Sequence, residues 1–264
     1  MRYLLIPNTK KEEAVRYAKR AEDLLYRMDG VCVAKDPSEA DCIVTFGGDG
    51  TIIRAARDFA EYHLPLLGIN LGTLGFLAEV SKDRMAEAFS AMEDGAYLIQ
   101  EHRLVHGKVM RDREVIHESG GLNDIVLHSA DPMKMIRYEL RVNGERLYSY
   151  GADGVIVSTP TGSTAYNLSA GGPVAMPSAD LIIVTPVNAH TMMQRSLVLP
   201  ASVTLTIRLE DASEDGAVMN FDSDRYGTLR TGDEIVITKG EQKVRFIKFR
   251  EDSFVEVLRT RMIQ

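Results

Sequence analysis

The sequence is poor in the features that mark several large classes of protein. It contains two cysteines, Cys32 and Cys42, which are too few for a disulfide framework or a cysteine-based zinc site, and we expect both to be small buried side chains. No stretch reaches the roughly 18 consecutive apolar residues of a membrane-spanning helix. The apolar run at 3–6 is too short for a signal peptide. These absences predict a cytoplasmic protein with no membrane partner.

A basic surface and a histidine cluster are missing as well. The chain has 31 Lys and Arg against 38 Asp and Glu, a net charge of −7, whereas a nucleic-acid partner needs a basic footprint. The six histidines are scattered, and none forms a ligand pair such as His-Glu-x-x-His. We therefore expect no nucleic-acid partner and assign no histidine or cysteine to a metal. The length of 264 residues suffices for one large domain or two modest ones with real cores.

Strand and helix signals alternate along residues 1–98, which we predict to be the first domain. Short apolar strands and amphipathic helices follow one another, as in β-α-β units, and this order is typical of an open parallel, Rossmann-like sheet. The predicted strands are 2–6, 31–34, 42–46 and 66–70, and the predicted helices are 11–28, 52–60 and 82–92.

From residue 99 the hydrophobic period changes to two. The clearest case is 136–142, where apolar and charged residues alternate before the Asn-Gly pair at 143–144 and a second alternating run at 145–148. Asn-Gly between two such runs predicts a tight antiparallel hairpin. We therefore predict a β-rich, mostly antiparallel domain over 99–250, and we expect the tail, 251–264, to return to the first domain.

The most informative stretch is Gly-Gly-Asp-Gly-Thr at 47–51, because of what flanks it. The apolar strand 42–46 precedes it and the helix 52–60 follows it. Glycines let the backbone approach an anionic ligand, and a helix N-terminus presents unpaired N–H groups with partial positive charge. Anion binding alone does not call for Asp49, which therefore suggests a base or a metal ligand beside the phosphates. The plainer alternative is a tight strand–helix turn with a capping aspartate.

A second motif lies at 151–173, where the β-run 155–158 enters a turn rich in threonine and serine. Hydroxyls and free N–H groups at such a turn can bind ribose and phosphate oxygens. Tyr166 offers a flat surface to a base or a nicotinamide. The plainer alternative, a turn that only caps a helix, fits Ser163 or Thr164 taken alone but does not explain the whole run.

Four elements together carry a resemblance to a known family. They are Gly-Gly-Asp-Gly-Thr at 47–51, Asn-Leu-Gly-Thr-Leu-Gly-Phe-Leu at 70–77, Leu-Asn-Asp at 122–124, and the run from Asp-Gly to Thr-Ala-Tyr at 153–166. In order and spacing they resemble the NAD kinase family over nearly the whole chain. The first element alone is shared with diacylglycerol kinase-like and phosphofructokinase-like enzymes, whereas the later elements are more specific.

The resemblance implies a two-domain enzyme with an α/β N-terminal domain and a β-rich C-terminal domain. It implies transfer of the γ-phosphoryl group of ATP to the 2′-hydroxyl of the adenosine ribose of NAD, giving NADP, with Mg²⁺ or another divalent metal. Some family members also use polyphosphate as the donor. The resemblance further implies a homo-oligomer, either a dimer or a tetramer.

Site residues carried over from the family fall on the four elements. Asp49 matches the proposed catalytic aspartate. Two positions differ from residues common in the family, since Asp124 stands where many members have glutamate and Asp224 where some have glutamine. The positions that match substrate contacts are Gly50, Arg54, Phe76, Asn123, Asp124, Asp153, Thr161, Thr164, Ala165, Tyr166 and Ser169.

Two other functions fit parts of the same pattern. A diacylglycerol or sphingoid-base kinase uses the same turn at 47–51, but this chain has no obvious membrane-binding amphipathic helix, and its Thr/Ser-rich motif suits a ribose–phosphate ligand. A non-catalytic dinucleotide sensor is the other alternative. A pure binder gains nothing obvious from Asp49 beside phosphate, so the kinase is the favoured function.

Overall fold

The computed structural model describes residues 1–72, 75–190, 195–250 and 253–262. They form two compact units, the first made of the described residues in 1–102 and 243–264, and the second made of those in 103–242. Residues 243–250, placed above in the second domain, thus cluster with the first unit. Among the described residues, no helix combines the length and the apolarity needed to cross a membrane.

The first unit is an α/β unit with a parallel sheet. Strands β4, β3, β1 and β2 lie side by side in this order, and every pair among them is parallel, as predicted. The end of a late strand, β17 (Glu234–Lys248), adds a further parallel pair beside β4. The elements up to the second unit are β1 (Arg2–Pro7), α1 (Glu12–Leu25), β2 (Cys32–Ala34), β3 (Cys42–Gly47), α2 (Asp49–Asp58), β4 (Pro65–Asn70), β5 (Val80–Ser81), α3 (Met85–Glu93) and β6 (Leu98–Arg111).

The core of the first unit forms around β3, every residue of which is buried. Helix α1 presents small side chains to the sheet, with Ala14, Ala18 and Ala21 buried on one face, so the helix can pack closely. The prediction that both cysteines are buried holds for Cys42 on β3 and is wrong for Cys32, which is exposed. The reason is that β2 is the edge strand of the sheet.

The second unit is built from antiparallel sheets, which confirms the predicted β-rich domain. One sheet has the order β13-β12-β11-β8-β15-β16, and β10, β9, β14 and the first half of β17 form another antiparallel set. The remaining elements of the chain are β7 (Glu114–Gly121), β8 (Asp124–Ser129), β9 (Ile136–Val142), β10 (Glu145–Ala152), β11 (Gly154–Ser158), α4 (Tyr166–Ser169), β12 (Leu181–Val187), β13 (Leu197–Pro200), β14 (Leu205–Asp211), β15 (Ala217–Phe221), β16 (Asp224–Leu229), β17 (Glu234–Lys248) and, in the first unit, α5 (Ser253–Met262).

One apolar cluster fills the second unit. It takes Tyr138 and Leu140 from β9, Leu127 from β8, Val157 from β11 and Met219 from β15, all of which are at most 1% exposed. The inward-facing residues alternate with outward-facing ones, which is the period of two seen in the sequence. This core fixes the strands whose ends carry the candidate site residues of the second unit.

The predicted hairpin forms between β9 and β10, with Val142 opposite Glu145. Both turn residues have left-handed backbone angles, φ of 50° at Asn143 and 83° at Gly144, as a type I′ turn requires. We expect Gly144→Ala to destabilise the protein by about 1 kcal/mol, because a Cβ is strained at positive φ. Urea unfolding followed by circular dichroism measures the change.

Gly151→Ala is the matched control for that variant. Gly151 lies in the same hairpin, its φ is not positive, and a Cβ added there meets nothing within 4 Å. If Gly151→Ala lost as much stability as Gly144→Ala, the backbone angle of the turn would not be the cause.

Candidate functional site

Asp49 is the first residue of α2, and only Gly48 separates it from the end of β3. Its carboxylate does not cap its own helix, whose N-cap is Gly48, so the capping alternative does not describe this aspartate. Instead the Phe76 N–H donates to Oδ2 at 2.9 Å and the Leu77 N–H donates to Oδ1 at 3.2 Å. A carboxylate offers about four acceptor positions. Two are used here, so Asp49 is held from one side and keeps acceptor capacity for a ligand.

The close approach of the two segments depends on Gly75. A Cβ at this position would lie 1.9 Å from Asp49 Oδ1, so no side chain fits there without moving the carboxylate. Gly48 and Gly50 differ, since a Cβ on either meets nothing within 4 Å. The end of the element at 70–77 therefore has a structural role, because Gly75, Phe76 and Leu77 hold the Asp49 carboxylate. Thr73 and Leu74 of the same element lie outside the described residues.

The turn at 47–51 also contacts the loop that follows β1. The Asn8 N–H donates to the Phe46 carbonyl at 3.1 Å, and Asn8 Nδ2 donates to Thr51 Oγ1 at 3.4 Å. Strands β1 and β3 are neighbours in the sheet, and the strand order reverses there. In open parallel sheets, ligands bind at the carboxyl ends of the strands where the order reverses. Asp49 and the exposed Gly48 and Gly50 lie at that point.

Arg54 and Phe76 are the other predicted site residues of the first unit. Arg54 is exposed on α2, five residues after Asp49. Phe76 is half-buried, donates its N–H to Asp49 and packs its ring on Phe254 of α5, with ring centroids 6.1 Å apart. Both can therefore face a ligand at this end of the sheet.

In the second unit, Asn123 and Asp124 lie where β8 begins. Their backbone is fixed by Asp222, whose Oδ1 accepts the N–H groups of Asn123 at 2.7 Å and Asp124 at 3.2 Å, while its Oδ2 accepts that of Leu122 at 3.0 Å. The Asp222 N–H donates in turn to the Asp124 carbonyl at 2.9 Å. No motif in the sequence marks Asp222 as a site residue. The adjacent Asp224, singled out there, is exposed.

The Thr/Ser-rich turn packs directly on Asn123. The Thr159 N–H donates to the Asn123 carbonyl at 2.8 Å, and Thr159 Oγ1 donates to the Leu122 carbonyl at 2.6 Å. A Cβ on Gly162 would lie 2.0 Å from the Asn123 carbonyl oxygen, so this position needs glycine. The fold therefore brings together the predicted elements 122–124 and 159–166.

Side chains of the turn divide into inward and outward ones. Ser163 is fully buried and donates to the Pro160 carbonyl at 2.6 Å, so its hydroxyl serves the fold. Thr161–Thr164 form a single 3₁₀ turn, and Tyr166 begins the four-residue helix α4. Tyr166 and Ser169 are exposed, and Thr164 and Ala165 are half-buried. These four can reach a ligand, whereas Thr161 is buried.

Asp153 is not brought to the same place. It precedes β11, at the end where Gly154 pairs with His128, whereas Ser158 at the other end pairs with Asp124. Five strand residues span about 17 Å. Asp153 accepts a hydrogen bond from Asn188 Nδ2 at 2.9 Å. Within the described second unit, Asp153 is therefore separate from the cluster around Asn123.

Asp124 is buried, with 4% of the residue exposed. Burial, and to a smaller extent the neighbouring Asp222 carboxylate, raise the pKa of Asp124 to about 7. A carboxyl group with this pKa is partly protonated near neutral pH, so it can both donate and accept a hydrogen bond.

No three His, Cys, Asp or Glu side chains among the described residues are arranged to hold a metal ion. A cavity of about 540 Å³ in the first unit lies between Ala78–Ser81, α3 and α5, and none of the predicted site residues lines it.

Family models match both parts of the chain. The ATP-NAD kinase N-terminal domain matches residues 6–97, and the ATP-NAD kinase C-terminal domain matches residues 122–249. An NAD kinase of Lachnospira eligens is 38% identical over 238 residues, which cover 86% of this chain and 81% of the relative. An NAD kinase of Natranaerobius thermophilus is 33% identical over 276 residues, covering 98% of this chain and 96% of the relative.

Solved structures agree with these matches. The crystal structure of an NAD kinase from Archaeoglobus fulgidus in complex with ATP matches with a TM-score of 0.76 at 29% identity, covering 98% of this chain and 97% of that one. The yeast NADH kinase complexed with NADH matches with a TM-score of 0.86 at 20% identity, covering 97% and 85%, and shows the same fold. The lipid-kinase and sensor alternatives gain no support from these matches.

The raised pKa of Asp124 predicts a pH dependence of stability. An unfolded aspartate titrates near pH 4, so between about pH 4 and pH 7 the folded protein holds a proton that the unfolded chain has lost. The contribution of Asp124 to stability therefore falls as pH rises and levels off above pH 7. As the pH rises from 5 to 8, we expect the free energy of unfolding of Asp124→Asn to increase by roughly 2–3 kcal/mol relative to that of the wild type. Urea unfolding at several pH values measures the difference.

Asn123→Ser is the control, because it alters the neighbouring side chain and removes no titrating group. Its stability difference from the wild type should not change with pH. A difference between Asp124→Asn and the wild type that is equally independent of pH would contradict the assignment.

Proposed function

We propose roles for individual residues from one premise: the chain belongs to the NAD kinase family, and it phosphorylates NAD to NADP. NADP carries its extra phosphate on the 2′-hydroxyl of the adenosine ribose, so the reaction needs a group that takes up the proton of that hydroxyl. We propose that Asp49 is this group. The observation that carries the proposal is the partly exposed carboxylate that follows β3, fixed by two backbone N–H groups.

Asp49 acts late in the transfer. Phosphoryl transfer passes through a loose transition state, so the enzyme mainly positions the groups and neutralises charge. The 2′-hydroxyl oxygen bonds to the γ-phosphorus while the bond from that phosphorus to the β–γ bridging oxygen breaks, and ADP leaves. The hydroxyl becomes acidic as its oxygen bonds to phosphorus, and Asp49 then accepts its proton. A positioned acceptor of this kind contributes roughly 10²–10⁴-fold.

ATP is the donor we propose, since the Archaeoglobus fulgidus relative was crystallised with it. The exposed backbone of Gly48 and Gly50 at the start of α2 suits the phosphate groups. Arg54 and Phe76 are proposed contacts of the same ligand region. Polyphosphate is the competing donor, and a side-by-side assay of NADP formation with each donor separates the two.

The dinucleotide is assigned to the second unit. Asn123 and Asp124 are proposed to hold the adenine and ribose of NAD, because Asp222 fixes their backbone and both lie against the Thr/Ser-rich turn. Tyr166 is 46% exposed and can stack on a base. Further proposed contacts from the same turn and α4 are Thr164, Ala165 and Ser169. The buried Thr161, and Asp153, which precedes β11 at the end away from Asn123, stay predictions from the family resemblance.

We propose that the divalent metal of the reaction would be bound mainly by the phosphates of the substrate. Mg²⁺ keeps several waters and binds one or two carboxylates together with substrate phosphates. Asp49 keeps free acceptor positions, and the described residues contain no cage of three metal-binding side chains. We therefore propose that Asp49 holds the metal, directly or through water, and that the ion supplies charge neutralisation on the phosphates. A homo-oligomer and a cytoplasmic location stay predictions.

Asp49→Asn tests the proposed role directly. The amide keeps an acceptor oxygen for one of the two loop N–H groups and loses the acceptor for the other. We expect the fold and most NAD binding to persist at some cost in stability, while turnover should fall by roughly 10²–10⁴-fold because no proton acceptor remains. Coupled assays of NADP formation give kcat, and calorimetry gives the dissociation constant of NAD. A kcat near that of the wild type in the folded variant would refute the role.

Gly75→Ala tests the geometry without touching the carboxylate. The added Cβ would lie 1.9 Å from Asp49 Oδ1, so Asp49 must move. A displacement of about 1 Å can cost 10²-fold in rate, and we expect kcat to fall by that order.

Gly72→Ala is the matched control. Gly72 lies in the same loop, is exposed, and has open space for a Cβ. Its variant should keep kcat within about twofold of the wild type. Equal activity of the Gly72 and Gly75 variants would show that the contact with Asp49 does not matter.

A further inference from the structure

We propose that Lys248 is a positioning residue for the phosphoryl transfer: its buried ion pair with Glu79 holds the segment 75–79, and that segment orients Asp49. This inference rests on the proposed role of Asp49. Lys248 lies far from Asp49 in the sequence and in none of the four elements that carry the family resemblance.

The segment 75–79 connects the Asp49 carboxylate to Glu79. Phe76 and Leu77 give their N–H groups to the Asp49 carboxylate at 2.9 Å and 3.2 Å. Leu77 and Ala78 are then 5% and 3% exposed, and the Glu79 N–H donates to the Gly68 carbonyl of β4 at 3.1 Å. The segment is short and packed along its length, so a shift at Glu79 is transmitted to the N–H groups that hold Asp49.

Lys248 and Phe249 fix the side chain of Glu79. Lys248 Nζ lies 3.0 Å from Glu79 Oε2, and the two side chains are 8% and 7% exposed. The other carboxylate oxygen, Oε1, accepts the Phe249 N–H at 3.0 Å. Both oxygens of Glu79 are thus bound by the last residues of β17 and the residue after it. Removing one partner of such a buried pair leaves an uncompensated charge, and the loop must rearrange to solvate it.

Two titratable side chains, His102 and Glu79, interact with the charge of Lys248. His102 packs edge-on against Phe246, with ring centroids 4.7 Å apart. Burial, and to a smaller extent Lys248, lower the pKa of His102 to about 3, so this ring is neutral at neutral pH. Glu79 is therefore the counter-charge of Lys248.

The same C-terminal part of the chain also supports the other end of the segment. Phe254 of α5 is 9% exposed and packs on the ring of Phe76. Lys248 and Phe249 thus contact the segment at Glu79, and Phe254 contacts it at Phe76, whose N–H binds Asp49. This arrangement assigns a catalytic consequence to residues that the reaction itself does not involve.

The decisive variant is Lys248→Met, which keeps the length of the side chain and removes the charge. Because proton acceptance depends on the placement of Asp49, we expect kcat to fall by about 10- to 100-fold. The proposed NAD contacts of the second unit are untouched, so KM for NAD should stay within about threefold. The ¹⁵N amide resonances of Phe76 and Leu77 should shift.

Phe89→Leu is the stability control. Phe89 is a fully buried residue of α3 that packs on Tyr3, so the variant weakens the same unit at a ring contact outside 75–79. It should lower the melting temperature and leave kcat and the two amide resonances unchanged. A Lys248→Met enzyme with wild-type kcat, or a loss of kcat equal to that of an equally destabilised Phe89→Leu enzyme, would overturn the inference.

The double variant Glu79→Gln with Lys248→Met separates positioning from general stability. It buries no unpaired charge and keeps an acceptor for the Phe249 N–H, so its melting temperature should recover toward that of the wild type. Its kcat should stay at least about fivefold low, since the ion pair is still absent. Full recovery of kcat together with the melting temperature would contradict the proposal.

Asp49→Asn, assayed in parallel, tells the two proposals apart. If Asp49→Asn loses turnover and the Lys248 variants do not, only the inference about Lys248 fails. If Asp49→Asn keeps turnover, the role of Asp49 itself fails, whatever the Lys248 variants do.

Discussion

The structure depends on one interaction, in which a carboxylate at the end of a parallel strand is held by the N–H groups of a distant loop. Asp49 cannot reach its place unless Gly75 lacks a side chain, and the loop cannot present its N–H groups unless Ala78 and Glu79 pack against β4. The position of the Asp49 carboxylate therefore depends both on Gly75 and on the backbone N–H groups of Phe76 and Leu77. The chemical group comes from the turn at 47–51, and its orientation comes from 75–79.

The second unit uses the same physical device for a different purpose. Asp222 accepts three backbone N–H groups at 122–124 and so fixes a loop, just as the N–H groups at 76 and 77 fix Asp49. Hydrogen bonds to a carboxylate are roughly twice as strong as neutral ones, which suits them to holding irregular backbone in a fixed shape. In one unit the carboxylate is held, and in the other it does the holding.

Sequence reasoning succeeds where the cause is local. The hairpin at Asn143-Gly144 follows from two residues that tolerate positive φ, and Asp49 stands out because its turn lies between a strand and a helix. Asp222, Glu79 and Lys248 could not be found in this way, since their partners are distant in the chain and only the folded topology brings them together. The exposure of Cys32 likewise depends on strand order, because β2 is at the edge of the sheet, and the strand period alone does not say which strand that is.

The charges explain why these devices are needed. The protein has a net charge of −7, and its candidate site residues include several carboxylates, whereas both substrates of a NAD kinase are anionic. Three carboxylates near proposed ligand contacts have their charge compensated by hydrogen bonds or reduced by a raised pKa. Two N–H groups compensate Asp49, three compensate Asp222, and burial raises the pKa of Asp124 so that it is partly neutral. Backbone donors therefore do here what basic side chains do elsewhere, and they do so without adding flexible groups that would have to be ordered when the substrates bind.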